Sequence, residues 1–142
     1  MNFFVRARAK HIKLGSRGED FAVRLYRKRN CQILARNWRN SAARDGAGEL
    51  DIVLLDGETL VFAEVKTRRK LDNYLPGANL SDKQKKLIRR GAKTFCRMKN
   101  ISSNINKRFD LVEVIYDGKH LKDIALHENY MPFSDPEFLT KQ

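Results

Sequence analysis

Asp51, Glu64 and Lys66 are the residues of this chain whose types and spacing best suit chemistry. They sit in two apolar runs, Gly48-Glu49-Leu50-Asp51-Ile52-Val53-Leu54-Leu55 and Leu60-Val61-Phe62-Ala63-Glu64-Val65-Lys66-Thr67-Arg68, separated by Asp56-Gly57. Each run predicts a strand, and Asp-Gly predicts the hairpin turn that joins them. Side chains alternate along a strand, so Glu49 and Asp51 share one face, while Glu64 and Lys66 share a face with Leu60 and Phe62. Both runs are otherwise apolar on both sides, as in a central strand covered above and below. Ionised groups in such a place are costly unless they are paired or bind a metal. A divalent cation beside a phosphodiester accounts for all three.

A phosphodiester resists hydrolysis because its charge repels nucleophiles and its leaving oxygen is poor. A divalent metal neutralises that charge, acidifies a bound water and orients both groups. Magnesium takes oxygen ligands and keeps several waters, so a few protein oxygens suffice, and manganese is the alternative ion. Asp51 and Glu64 supply two, with the Val65 backbone carbonyl as a third. Lys66 would orient or help activate the attacking water and stabilise charge at the phosphate. Thr67 and Arg68 extend the same strand toward the phosphate. Glu49 has two readings of equal weight: an acid that orients Lys66 or a metal-bound water, or a salt-bridge partner for Arg39.

The elements that must position these groups follow from periodicity. Leu14, Phe21, Ala22 and Leu25 recur at helical spacing from about Leu14 to Arg29, with Glu19 at the border of the stripe. A lone helix glutamate faces solvent by default, whereas Gly15 and Gly18 predict a close backbone approach to something. Cys31 to Trp38 predicts a strand, and Asn40 to Ala47 a loop at the mouth of the site. Ser81 and Gln84 form a capping box before a helix striped by Leu87, Ile88, Gly91, Ala92 and Phe95. Gln84 either completes that cap or meets an anion at the helix N-terminus. The other face of this helix carries Lys86, Arg89, Arg90, Lys93 and Arg97 with no interleaved acid, which favours contact with a nucleic-acid backbone. Phe109 to Tyr116 predicts a strand, and Asp117-Gly118 a hairpin into Lys119 to Leu126. Asp110 is expected to pair with Arg108 or to cap a strand end, and Trp38 and Tyr26 to pack in the core. The order helix, three strands, helix, two strands fits a mixed sheet with a helix on each face, an α/β/α sandwich.

Residues 14–130 read as one domain, preceded by a basic arm over 1–13 and followed by a tail over 131–142. The chain holds 29 Lys and Arg against 17 Asp and Glu, a net charge of +12. That excess points to a polyanionic partner, with nucleic acid, DNA above all, as first candidate. Two cysteines, Cys31 and Cys96, are too few for a disulfide framework, and the three histidines are too scattered for a zinc site. No apolar stretch is long enough for a signal peptide or a membrane span, so a cytoplasmic protein is expected.

The order of Asp51 and Glu64-Val65-Lys66 on consecutive strands resembles the PD-(D/E)xK nuclease superfamily, with Leu50 where the naming proline would stand. The blocks Gly15-Ser16-Arg17-Gly18-Glu19-Asp20-Phe21-Ala22, Arg36-Asn37-Trp38-Arg39, Gly48-Glu49-Leu50-Asp51 and Phe62-Ala63-Glu64-Val65-Lys66-Thr67-Arg68 resemble the YraN-like family of small bacterial proteins. Lys83-Gln84 with Lys86, Arg108-Phe109-Asp110 and His127-Glu128-Asn129 continue that likeness, which covers roughly residues 14 to 130. The first-helix glutamate is also similar to that of archaeal Holliday-junction resolvases. These resemblances imply a restriction-endonuclease-like fold and a metal-dependent endonuclease acting on branched or recombination and repair DNA. They imply that Glu19 points into the site, binding metal through water, and that a homodimer cuts two strands. A non-catalytic nucleic-acid-binding module with the same fold is the alternative, and a protein partner required for activity is compatible with either.

Overall fold

In the computed structural model, which describes residues 14–40, 49–70 and 80–133 (side chains from residue 17 onward), the expected order of elements is present. The elements are α1 (Leu14–Lys28), β1 (Gln32–Trp38), β2 (Leu50–Asp56), β3 (Thr59–Arg69), α2 (Asp82–Met98), β4 (Lys107–Asp117) and β5 (His120–Met131). The five strands form one sheet in sequence order. Neighbours are antiparallel except β3 and β4, which α2 connects as a parallel pair.

Alternation along the central strands builds two cores. Ile52, Leu54, Val61, Ala63, Val112 and Val114 pack with Phe21, Ala22, Val23 and Tyr26 of α1. Val53, Leu60, Phe62, Phe109 and Leu111 pack with Ile88, Ala92 and Phe95 of α2. One helix therefore covers each face, and the strands between them are apolar on both sides for that reason. Phe95 sits edge-on to Phe62 and Trp38 at 5.9 and 5.3 Å. Gly57 and Gly118 take φ of +60° and +61° in the two hairpin turns, where a side chain would be strained. The capping box is complete, with Gln84 N–H donating to Ser81 Oγ and Ser81 N–H to Gln84 Oε1.

Three details shape the fold around this frame. A bulge between Ile33 and Ala35 puts two residues of β1 where one is expected. Ile33 consequently packs on the α1 side and Ala35 on the α2 side, leaving Leu34 exposed. Met131 ends β5 in a buried position, and Phe133 stacks on Phe109 at 5.2 Å, so the stretch after residue 130 starts inside the core. Gly18 lies against β3, where an added Cβ would come 2.5 Å from Thr67 Oγ1, the close approach its sequence context predicts. The basic arm and most of the loop over Asn40 to Ala47 lie outside the described residues, as does Gly15 beyond its backbone.

Candidate functional site

The site forms where β2 and β3 part. Their paired register runs from Asp56 and Thr59 to Ile52 and Ala63. One residue further, the Asp51 carboxylate replaces a backbone partner: Oδ2 accepts from Val65 N–H at 2.9 Å. That bond satisfies a β3 donor and fixes Asp51 between the diverging strands. Glu64 and Lys66 share one side of β3, as alternation requires, with Lys66 Nζ 3.5 Å from Glu64 Oε1. Their side chains are only 16% and 26% exposed, so neither charge is fully solvated.

Electrostatics bind the two acids together. Burial raises Glu64 most, the Asp51 charge raises it further, and Lys66 offsets only part of this, leaving the carboxyl at about 8. Asp51 also stands within hydrogen-bonding reach of Glu64, which further favours the protonated form of Glu64. Glu19 comes from α1. Burial and then the Asp51 charge raise its pKa, while a hydrogen bond to the Asn37 side chain opposes the shift. Glu19 is therefore half-buried and near enough to Asp51 to feel its charge.

The other residues singled out in the sequence fall at varying distances from this centre. Arg68 stands two positions beyond Lys66 and turns to Glu113. Glu49 is exposed and 3.5 Å from Arg39, the salt-bridge arrangement of its two readings. The Gln84 carboxamide oxygen serves the α2 cap. Lys86, Arg90 and Lys93 are exposed on α2, whereas Arg89 is half-buried and donates to the Pro132 carbonyl at 3.1 Å. Asp110 pairs with Arg108 through Oδ1 at 2.9 Å and accepts from the Tyr26 hydroxyl at 2.8 Å. This knot, on the α1 side, also takes in Asp56 through Arg108 at 2.8 Å.

Two neighbours of the site went unassigned in the sequence. Asn37 has φ of +49° within β1, a conformation asparagine tolerates better than other side chains, and it reaches Glu19. An asparagine inside a predicted strand was the available signal. The Tyr130 hydroxyl is buried with no hydrogen-bond partner among the described residues. Burial, and after it the Glu64 charge, push this phenol well above its ordinary range.

Residues 18–114 match the profile of an uncharacterised protein family, UPF0102. The chain belongs to that family. A UPF0102 protein of Pseudarthrobacter chlorophenolicus is 41% identical over 119 residues, covering 79% of this chain and 85% of its own. Another, from Caldicellulosiruptor saccharolyticus, is 36% identical over 118 residues, covering 82% of this chain and 95% of its own. A third, from Dictyoglomus turgidum, is 34% identical over 120 residues, covering 84% and 94%. The resemblance to the YraN-like proteins, which are UPF0102 members, is thereby borne out. The matched UPF0102 span contains Glu19, Asp51, Glu64, Lys66 and Glu113. No helix among the described residues is long and apolar enough to cross a membrane.

Proposed function

We propose that this UPF0102 protein is a metal-dependent endonuclease that hydrolyses DNA phosphodiester bonds in the cytoplasm, on a restriction-endonuclease-like α/β/α fold. The observation that carries this reading is the pair of electrostatically linked carboxyls, Asp51 and Glu64, beside Lys66 at the parting of β2 and β3. Two acids so close hold a proton between them when nothing else neutralises them, and a divalent cation is the natural replacement. The donors are all oxygens, which suits magnesium or manganese. Among the described residues no three His, Cys, Asp or Glu gather around one point. The ion would therefore rest on Asp51 and Glu64, with backbone oxygen such as that of Val65 and water completing its shell.

When bound, the metal would supply charge neutralisation at the phosphate and an acidified water. Asp51 is already oriented, because the Val65 N–H anchors one of its oxygens and leaves the other as a donor. Lys66 is held by Glu64 where a phosphate oxygen would approach, and it would balance the charge that develops there. Glu19, turned toward Asp51, would hold a water at the rim. The cations of α2 at Lys86, Arg90 and Lys93 would bear on backbone phosphates away from the scissile one. Branched recombination or repair DNA, cut by a homodimer, is the substrate to try first.

Those same α2 cations favour a second reading, a non-catalytic module that grips nucleic acid. One experiment separates the two. Labelled linear, single-stranded, flap and four-way-junction DNAs are incubated with Mg²⁺, Mn²⁺ or EDTA, using wild type and Lys66→Ala. The nuclease reading expects metal-dependent cutting of at least one DNA, reduced about 100-fold or more in the variant. Salt-sensitive binding without cutting, indifferent to metal and to Glu64→Ala, would support the module instead.

A further inference from the structure

Glu113 and Asp110 are the two charged residues fully buried among those described. Asp110 is accounted for by its knot with Tyr26 and Arg108, but Glu113 lies on the opposite face of β4, the face of the candidate site. The parallel register sets Glu113 directly beside Lys66. Its Oε1 is 2.7 Å from His127 Nε2, and its Oε2 is 3.6 Å from Arg68 Nε. His127 shares this face because it pairs with Leu111, which packs under α2.

The two basic side chains are unlike their anchor in one respect. The Glu113 side chain is 1% exposed, whereas those of Arg68 and His127 are 27% and 30% exposed. Arg68 Nε is itself inaccessible, so the exposure belongs to other atoms of that side chain. A wholly structural role does not require such an arrangement, since well-packed apolar residues stabilise a fold as well as a buried ion pair does. What the acid does achieve is to anchor one edge of each basic side chain while the rest of it keeps partial exposure. Of the arginine's donors only Nε is buried beside the acid; a guanidinium also carries two Nη groups, which match phosphate oxygens in pairs. Arg68 lies two residues past Lys66, roughly 7 Å along β3, a step comparable to the spacing of successive phosphates along a strand.

We propose that Glu113 is a positioning residue that holds Arg68 and His127 as a subsite for a non-scissile backbone phosphate, adjoining the phosphate at Lys66. This rests on the nucleic-acid reading of the site and assigns it a second contact. Binding of a labelled DNA in EDTA, where cutting is blocked, is followed across a salt series for wild type, Arg68→Ala, Arg68→Lys, Glu113→Gln and the double variant. Arg68→Ala should weaken binding about 5- to 20-fold and lower the slope of log affinity against log salt by about one. Glu113→Gln should weaken it in the same direction. Adding Glu113→Gln to Arg68→Ala should weaken binding less than the same change does in the wild type, because the part of its effect that runs through Arg68 is already lost. Arg68→Lys should recover the salt slope but only part of the affinity, since an ammonium lacks the fork. Should Glu113→Gln fail to fold, His127→Ala combined with Arg68→Ala provides the same test of non-additivity. Wild-type binding accompanied by unchanged slope and affinity in Arg68→Ala would overturn the subsite and leave the nuclease reading standing. Absence of salt-dependent binding by the wild type would overturn both.

Discussion

Replacing Glu64 with glutamine should stabilise the metal-free protein above pH 7, although it removes a residue on which the proposed activity depends. Burial and the Asp51 charge move the Glu64 carboxyl from its ordinary 4.5 to about 8. Between those values the folded chain keeps a proton that the unfolded chain has released, so stability falls as pH rises through this window. Below pH 4.5 both states hold the proton and the contribution is complete; above about 8 it is gone. At about 1.4 kcal/mol per pH unit the ceiling on this loss is about 5 kcal/mol. The side chain keeps 16% of its exposure, so water reaches it when charged. About half the ceiling, 2 to 3 kcal/mol, is the magnitude to expect once that solvation is allowed for. Urea denaturation of wild type and Glu64→Gln in EDTA at pH 4.5, 7 and 9 would read it. The two proteins should be alike at the lowest pH and separate progressively toward pH 9, the variant being the more stable. Saturating Mn²⁺ or Mg²⁺ should close part of the gap, since an ion at 100 times its Kd stabilises the wild type by about 2.7 kcal/mol. A gap independent of pH, or a variant less stable at pH 9, would refute the raised titration of the Glu64 carboxyl.

Other perturbations test the frame around the site. Gly18→Ala drives a methyl group to within 2.5 Å of Thr67 Oγ1, on a short branched side chain with little room to yield. It should cost about 1 to 3 kcal/mol in chemical denaturation, and it should displace Glu19 as well. Asp110→Ala removes the shared partner of Tyr26 and Arg108. A loss of about 3 to 5 kcal/mol is expected, against about 1 kcal/mol for Tyr26→Phe, both measured by urea titration. Ser81→Ala removes the α2 N-cap and should lower stability by about 1 kcal/mol in the same assay.

Much of this architecture is legible in the chain because it rests on local rules. Two-sided apolar runs, Asp-Gly turns and the Ser81 capping box predict their elements within a residue or two, except that β5 continues past the expected Leu126 to Met131. The grouping of Asp51, Glu64 and Lys66 is legible for the same reason: a tight hairpin fixes which residues face one another. What local rules cannot supply is a partner far away in the chain. Tyr26 and Asp110 are 84 positions apart, and nothing near either one names the other. Glu113 reads as one acid in an apolar strand until β3 and β5 close on it with Arg68 and His127. The bulge at Ile33 and Ala35 escapes for another reason. Alternation counts residues, and one inserted residue moves everything after it to the other face.

The topology also orders events in time. Asp51 and Glu64 are joined by a hairpin with a two-residue turn, a unit that forms in microseconds. Glu113, by contrast, belongs to a strand that reaches β3 only after the whole of α2 has been laid down, as in the pairing of Phe62 with Phe109. Closing so long a loop is slow, so β4 should dock late. The two carboxylates are thus brought together while water still surrounds them and screens their repulsion. The penalty of desolvating them arises only in the closing step, when apolar contacts on both faces of the sheet form at once and outweigh it. A nascent chain need not gather these charges against an already dry interior.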